Sequence, residues 1–110
     1  MECIFCRIVN GEIPSEKVYE DDEVLAFKDV NPEAPCHVLL IPKKHATDLV
    51  AAGSELFSVV AGKIPMLAEK LGLQENGFRV VVNTGADGGQ TVGHLHFHIL
   101  GGRSLNWPPG

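Results

Sequence analysis

The sequence feature that most constrains this chain is a run of three histidines in strict alternation with apolar residues, His94-Leu-His-Phe-His-Ile-Leu100. Successive side chains of a β-strand point to opposite faces, so the alternation predicts a strand over His94–Leu100. The apolar set is expected to face the core, which leaves His94, His96 and His98 facing a cleft or solvent. Alternate residues of a strand lie about 6.5 Å apart, close enough for three imidazoles to act on one ligand.

Helical spacing of apolar residues appears in two other segments. A short helix is expected over residues 3–10, and a longer one over Glu55–Leu71, with Ser54 as its N-cap and a glycine directly after its last residue. Gly62 and Pro65 lie inside the longer helix, so a kink or break is expected there.

The remaining apolar segments read as strands. Val18-Tyr19 and Val24–Phe27 flank an acidic turn and predict a hairpin, while His37–Ile41 and Phe78–Asn83 predict two more strands. The element order predicts an α+β fold with a mostly antiparallel sheet of about five strands, a short N-terminal helix and one longer helix.

Length and charge restrict the class of protein. A chain of 110 residues is expected to form a single domain over 1–110. Its net charge of -5 argues against nucleic acid as a partner, since such binding needs clustered basic residues. We expect no membrane association either, since no apolar run approaches the length of about 20 residues that spans a bilayer. An odd number of cysteines and an N-terminus without signal-peptide features predict a cytoplasmic protein.

Three interpretations of the histidine run compete. The first is a polar strand face, the second a metal site built from all three histidines, and the third a site for phosphate chemistry with one attacking imidazole. The glycine-rich segment Asn83–Gly93 directly precedes the histidines and favours the third, because glycine lets backbone N–H groups approach an anion closely. Asn83, Gln90 and Thr91 add side-chain donors beside the first histidine.

At this point the chain resembles a known family. The pattern His-φ-His-φ-His-φ-φ at His94–Leu100, where φ is apolar, names the histidine-triad proteins. The segments Phe27–His45, Asp87–Val92 and Gly101–Gly110 are similar to the branch called histidine-triad nucleotide-binding proteins. The resemblance runs essentially from end to end.

The resemblance implies a nucleoside phosphoramidase, which hydrolyses the P–N bond of adenosine or guanosine 5′-phosphoramidates and binds the corresponding monophosphates. The nucleophile would be His96, with His98 and His37 orienting and polarising the site and His94 completing the histidine set. The alternatives are a dinucleoside polyphosphate hydrolase of the same fold and a nucleotide-binding adaptor with incidental hydrolysis.

The same resemblance assigns substrate contacts. Asn83, Gly89 and Thr91 would bind the α-phosphate, and the nucleoside pocket corresponds here to Ile4, Phe5, Ile8, Phe27, Lys28, Asp29 and Val30. From the residues alone, the apolar members equally predict core packing, and Asp29 equally predicts a cap of the Asn31-Pro32 turn. Lys28 stands where many members have histidine. The resemblance also implies a homodimer in which the C-terminal segment 105–110 crosses a two-fold interface and brings Trp107 near the partner's site, whereas a tail packed on its own subunit is the alternative.

Cys3-x-x-Cys6 is ambiguous by itself between a redox pair, half of a metal site and simple burial. Some bacterial histidine-triad proteins that resemble this chain place a structural zinc ion between such a pair and two histidines. By that resemblance the ligands here are Cys3, Cys6, His45 and His94, and the zinc would serve stability rather than catalysis. Cys36 has no partner in this scheme and is expected to be packed.

Overall fold

A computed structural model describes residues 3–110, so residues 1 and 2 of the predicted 1–110 domain lie outside the described residues. The elements in chain order are α1 (Ile4–Val9), β1 (Lys17–Glu20), β2 (Val24–Lys28), β3 (Cys36–Pro42), α2 (Leu49–Ala61), α3 (Ile64–Lys70), β4 (Phe78–Val81) and β5 (Phe97–Gly101). The strands form one sheet in the order β1-β2-β3-β5-β4, with every neighbouring pair antiparallel. The predicted α+β fold and its five-stranded antiparallel sheet are confirmed.

The two faces of the sheet carry different contents. Alternate residues of β2 and β3 divide between two buried apolar clusters, because successive strand residues point to opposite faces. Helices α2 and α3 contribute to the larger cluster, which includes Val38, Leu40, Phe97 and Ile99. The smaller cluster lies on the opposite face and consists of Phe5, Ile8, Leu25, Phe27, Leu39 and Ile41. Helix α1 covers that second face only in part, and this leaves room for a site.

The longer predicted helix is two helices. The break falls at Gly62 and Lys63, and Pro65 lies in the first turn of α3, where its missing N–H costs no helical hydrogen bond. The start differs from the prediction as well: Asp48 caps α2 by accepting from the Ala51 N–H at 2.8 Å. Gly53 is non-helical, with φ 75° and ψ 174°, so an extra helical turn precedes the predicted N-cap Ser54. Only glycine adopts this backbone without strain, which is why the sequence pattern did not extend across it.

The C-terminal end of α3 follows the prediction. Gly72 has φ 72°. The Leu73 N–H donates to the Ala68 carbonyl at 2.9 Å, and the Gly72 N–H donates to the Glu69 carbonyl at 3.1 Å. These two bonds form a Schellman motif, so the glycine stands where a left-handed residue is required.

The histidine strand is shorter than predicted, and this changes the site. Strand β5 begins at Phe97, so His94, Leu95 and His96 lie in irregular chain before it. Leu95, Phe97 and Ile99 are buried in the larger cluster as predicted. The three imidazoles, however, do not share one cleft face: His94 is fully buried and turns toward α1. The predicted strand Phe78–Asn83 similarly ends at Val81.

Within residues 3–110, no single helix is long and apolar enough to cross a membrane. Helices α2 and α3 meet that test of length and composition only when they are taken together across a bend of 40°.

Candidate functional site

A cleft of about 660 Å³ opens on the sheet face that α1 covers in part. Its walls come from α1, the segment before β1, the end of β2 and the residues on either side of His96. The lining residues are Ile4, Phe5, Ile8, Ile13, Pro14, Ser15, Glu16, Phe27, Lys28, Asp29, Val30, Asn31, Leu39, Thr91, Val92, His96 and His98. All seven residues predicted for a nucleoside pocket are among them.

His96 lies at one end of this cleft with a defined tautomer. Its Nδ1 is 2.7 Å from the backbone carbonyl oxygen of His94, which can only accept a hydrogen bond, so Nδ1 carries the proton. The side chain is 4% exposed, and its ring packs edge-on against Phe5 with centroids 5.2 Å apart. The free ring nitrogen, Nε2, therefore carries a lone pair, as a nucleophile requires.

His98 and His37 form a second chain of defined tautomers. The Glu33 N–H donates to His37 Nδ1 at 3.0 Å, so His37 carries its proton on Nε2. That proton faces His98 Nδ1 at 2.9 Å, with Asp29 Oδ2 at 3.3 Å as a second acceptor. His98 Nδ1 accepts, so the proton of His98 lies on Nε2, the nitrogen that it can present to the cleft.

The surroundings of His98 keep it uncharged. Burial, followed by the neighbouring His96 and His37, lowers its pKa to about 4, although Asp29 acts in the opposite direction. At neutral pH the His98 imidazole is thus a hydrogen-bond donor without a formal charge. Its ring centroid is 5.1 Å from that of His96, so one ligand can contact both.

Asp29 has the predicted role of a turn cap and also lines the cleft. Its Oδ1 accepts from the Asn31 N–H at 2.8 Å, which is the predicted turn cap. Its Oδ2 lies on the His37 side and its residue lines the cleft, so a carboxylate oxygen remains at the wall where ribose hydroxyls are expected.

Ligand atoms of Asp29, His37 and His98 lie close enough together to hold a cation. The hydrogen bonding opposes it, because a metal on His37 Nε2 would move the ring proton to Nδ1. The Glu33 N–H already points at Nδ1, and two donors would then face each other. This group is therefore arranged to hold protons in place.

A second donor cluster lies behind His96, where α1 begins. His94 Nδ1 is 3.3 Å from Cys3 Sγ, 3.6 Å from Cys6 Sγ and 3.1 Å from His45 Nδ1, and Cys6 Sγ is 3.3 Å from His45 Nδ1. A tetrahedral zinc ion with ordinary bond lengths has ligand-to-ligand edges of about 3.3–3.8 Å. The four donors thus converge almost as such an ion requires, and the predicted ligand set is confirmed as a group that fits structural zinc.

The chemistry of these donors agrees with their spacing. His94 Nε2 is 2.9 Å from the Pro42 carbonyl oxygen, so the proton sits on Nε2 and a lone pair on Nδ1 faces the cluster. Cys3 Sγ accepts a hydrogen bond from the Cys6 N–H at 3.3 Å, so the backbone at the start of α1 helps to hold this sulfur in the cluster. Two thiolates and two neutral imidazoles balance the charge of Zn²⁺, so the occupied site would carry no net charge.

The glycine-rich segment is braced by Gln90. Its amide donates to the carbonyl oxygens of Thr47 at 2.7 Å and Val92 at 2.9 Å, and its oxygen accepts from the Gly85 N–H at 3.0 Å. Both amide hydrogens are engaged within the protein. Of the residues predicted around a phosphate, Thr91 lines the cleft, whereas Asn83, Gly89 and Gln90 do not.

Two other residues singled out in the sequence, Cys36 and Trp107, lie apart from the cleft. Cys36 packs beside the larger apolar cluster, as expected for an unpaired thiol. Trp107 is 81% exposed and is absent from the cleft wall of its own chain.

Some residues of the site carried no recognisable signal in the sequence. Pro42 acts through a backbone carbonyl, which any residue type supplies, and Glu33 through a backbone N–H, which any residue except proline supplies. Val92 lines the cleft beside Thr91, and Ile13–Glu16 closes its far end. The apolar character of Ile13 and Pro14 after the first helix was the one available hint.

A five-stranded antiparallel sheet that carries a His-φ-His-φ-His segment beside such a cleft defines a histidine-triad architecture. Residues 10–105 match the family model described as HIT domain, and the chain belongs to that family. A HIT-like protein of Synechocystis is 54% identical over 112 residues, which cover 99% of this chain and 97% of the relative. A protein of Zea mays named 14 kDa zinc-binding protein is 48% identical, over 97% of this chain and 87% of its own length.

Solved structures agree with this assignment. A HIT family hydrolase from Legionella pneumophila superposes with a TM-score of 0.95 at 46% identity, over 99% of this chain and 100% of that chain. A histidine triad protein from Clostridium difficile gives 0.90 at 52% identity, with coverage of 96% and 95%. A histidine triad nucleotide-binding protein from Candida albicans gives 0.85 at 36% identity, with coverage of 97% and 83%.

Proposed function

We propose that this protein is a purine nucleoside phosphoramidase, which hydrolyses the P–N bond of nucleoside 5′-phosphoramidates by way of a nucleotidyl-His96 intermediate. The observation that carries the proposal is the set of ring tautomers at the cleft. The His96 proton is held on Nδ1 by a carbonyl, and the His98 proton is held on Nε2 by His37. One imidazole thus offers a lone pair and its neighbour offers an N–H, which is what attack on a phosphoryl group needs.

The reaction has two displacements at phosphorus. Nε2 of His96 attacks, the P–N bond breaks, and the amine leaves with a proton supplied by water. The resulting hydroxide attacks phosphorus, the bond to His96 breaks, and the nucleoside monophosphate leaves. Imidazole suits both steps, because it is nucleophilic when neutral and departs readily from phosphorus.

His98 acts by hydrogen bonding rather than by donating its proton outright. With its pKa lowered to about 4 by burial, the ring is neutral, and a neutral imidazole is a very weak acid. We therefore assign its Nε2–H to a non-bridging phosphoryl oxygen, whose negative charge increases during attack. Positive charge on the nucleotidylated His96 ring strengthens the bond from Nδ1–H to the His94 carbonyl.

The rest of the cleft fits a nucleoside. Phe5, Ile8 and Phe27 offer apolar surface for a purine, with Phe5 and Phe27 in an edge-on arrangement at 5.6 Å. Asp29 supplies a carboxylate for the ribose hydroxyls. The names of the Legionella hydrolase and the Candida nucleotide-binding protein support this class of ligand and reaction.

A panel of substrates tests the proposal. Purified zinc-loaded protein is given adenosine and guanosine 5′-phosphoramidates and a dinucleoside polyphosphate, and kcat/KM is measured for each. We expect P–N cleavage to exceed P–O–P cleavage by at least about 100-fold. Faster P–O–P cleavage favours a polyphosphate hydrolase, whereas tight monophosphate binding without turnover favours an adaptor; either result contradicts the proposal.

We also propose that the active form is a homodimer in a reducing compartment. Strand β4 lies at the edge of the sheet and pairs only with β5 among the described strands. Phe78 and Val80 on it are 38% and 37% exposed, so the edge offers both apolar surface and backbone groups to a second copy. A second copy would also cover the exposed side chain of Trp107.

Light scattering measures the mass in solution, and truncation tests the tail. Removal of residues 105–110 is expected to change the ranking of leaving amines while monophosphate affinity stays within a few-fold. An unchanged ranking contradicts a role of Trp107 beside the partner's leaving group, and a monomeric mass contradicts the dimer.

A further inference from the structure

The turn after β5 lies against the loop that precedes β3. Gly102 has φ +91°, a left-handed conformation that favours glycine, and a Cβ there would lie 2.9 Å from the Pro35 Cβ. The Gly-Gly pair before Arg103 thus allows the chain to turn tightly over the 31–35 loop. The Arg103 side chain is carried to that loop by this turn.

Arg103 makes two hydrogen bonds to backbone carbonyls. Its Nη2 donates to the Glu33 carbonyl oxygen at 2.8 Å and its Nη1 to that of Ser104 at 3.0 Å. The residue held in this way, Glu33, is the one whose N–H donates to His37 Nδ1 at 3.0 Å. A guanidinium therefore fixes the carbonyl of the same residue whose amide fixes a ring tautomer.

We infer that Arg103 is a positioning residue for the catalytic histidines: through Glu33 it holds the ring proton of His37 on Nε2 and hence that of His98 on the nitrogen facing the substrate. The step from His37 to His98 is the hydrogen bond of 2.9 Å between them. The inference rests on the proposed function, in which His98 Nε2–H meets a phosphoryl oxygen.

Whether His98 attracts or repels a bound phosphate depends on this arrangement. If the Glu33 amide moves away, His37 Nδ1 loses its donor and the ring can carry its proton there. His37 Nε2 then presents a lone pair to His98 Nδ1, which must take up the proton itself. His98 Nε2 would then face an anionic phosphate with a lone pair, and attraction becomes repulsion.

The test reads the tautomers directly. Two-bond ¹H–¹⁵N correlation spectra of the zinc-loaded full chain distinguish a protonated ring nitrogen from a bare one. In the unaltered protein we expect His37 and His98 both protonated on Nε2. In Arg103→Met, which keeps an apolar stem and removes every donor, we expect the ratio of the two His37 tautomers to shift about fivefold toward Nδ1–H.

Two variants serve as controls, and Arg103 is exposed, so its loss leaves the core intact. Arg79→Met is matched, because Arg79 also donates to a carbonyl, that of Asn106 at 2.8 Å, but has no link to His37. Arg103→Lys retains one donor and should restore part of the original tautomer ratio. We expect kcat/KM to fall about fivefold in Arg103→Met. Arg79→Met is a control for the tautomer ratio only, because Asn106 belongs to the C-terminal segment proposed to affect the leaving amine.

Unchanged tautomers in Arg103→Met, or an equal shift in Arg79→Met, would overturn the inference. The spectra do not depend on turnover, so the two proposals fail separately. A tautomer shift in a protein without P–N cleavage supports the role of Arg103 and contradicts the reaction.

Discussion

Two side-chain clusters lie on either side of His96, one of histidines and thiols and the other of histidines and a carboxylate. They differ in which ring nitrogen the backbone leaves with a proton. At the cluster of Cys3, Cys6, His45 and His94, the Pro42 carbonyl takes the His94 proton on Nε2, so a lone pair points at the other three donors. At the cluster of Asp29, His37 and His98, the Glu33 N–H occupies His37 Nδ1, so a proton points inward instead. Lone pairs that converge suit a metal ion, and an ordered row of protons suits phosphate chemistry.

His94 and His96 show that the same residue type, two positions apart, can have different hydrogen bonds and different neighbours. His94 and His96 are joined by one residue and by the bond from His96 Nδ1 to the His94 carbonyl. The metal cluster therefore anchors the backbone that orients His96, the proposed nucleophile.

Replacing His96 with Ala should reduce P–N turnover by at least about 1,000-fold, because no other ring presents a lone pair to the cleft. Monophosphate affinity should stay within a few-fold, since the apolar wall and Asp29 are untouched. Zinc content should not change. Steady-state kinetics, calorimetric titration with nucleoside monophosphate and metal analysis check these three expectations, and a variant with a tenth of the original activity would exclude His96 as nucleophile.

Replacing Cys6 with Ser should act in the opposite way, on the metal rather than on the chemistry. Purified unaltered protein is expected to hold about one zinc ion per chain, and Cys6→Ser should lose it. Loss of an ion that the unfolded chain cannot bind equally well should lower Tm by at least about 10 °C.

Cys36→Ser is the matched control, because Cys36 lies outside the donor cluster. It should retain the zinc ion and melt within a few degrees of the unaltered protein. If metal-free and zinc-loaded protein melted at the same temperature, the structural role of the ion would be refuted.

The proton-holding cluster predicts a dependence of stability on pH. Burial lowers the pKa of His98 to about 4 in the folded protein from an ordinary value of 6.5. As pH falls between these values the unfolded chain binds the proton first, so the free energy of unfolding should fall in that window and level off below about pH 4.

The contribution of His98 is isolated by comparing two proteins. Urea unfolding in excess zinc is measured from pH 7 to pH 4 for the unaltered chain and for His98→Gln, whose amide does not titrate. The difference between the two free energies should decrease toward acid. A difference that stays constant over this range would show that His98 is not held neutral by the fold.

The smallest effect should come from Phe5, whose ring packs edge-on against the predicted zinc ligand His94 and against His96, with centroids 5.9 Å and 5.2 Å away. Phe5→Leu is expected to cost about 1 kcal/mol of stability and to raise KM a few-fold while zinc is retained. Phe57→Leu is the control, since Phe57 packs on Phe97 at 5.8 Å on the other face of the sheet. It should destabilise by a similar amount without altering KM, and equal KM values in both variants would deny Phe5 a place in the nucleoside wall.

Much of the fold was predictable because its signals are local. The continuous apolar runs of β2 and β3, the break at Gly62 and Pro65, and the glycine after α3 are all signals carried by neighbouring residues, and each is found in the structure. Errors occurred where tertiary contacts override the pattern. The alternation of apolar and polar residues continues through His94, yet the strand begins only at Phe97, because the chain before it turns to bring His94 into the metal cluster.

Local sequence patterns predict the sheet, the histidines at one of its ends and, through the family resemblance, the residues that could hold zinc. The direction of each ring proton depends instead on tertiary contacts. That direction is set by the Pro42 and His94 carbonyls and by the Glu33 N–H, backbone groups that no sequence pattern marks. They act only when the folded chain brings them within hydrogen-bonding distance of an imidazole. The different tautomers of His94, His96 and His98 therefore arise only in the folded protein.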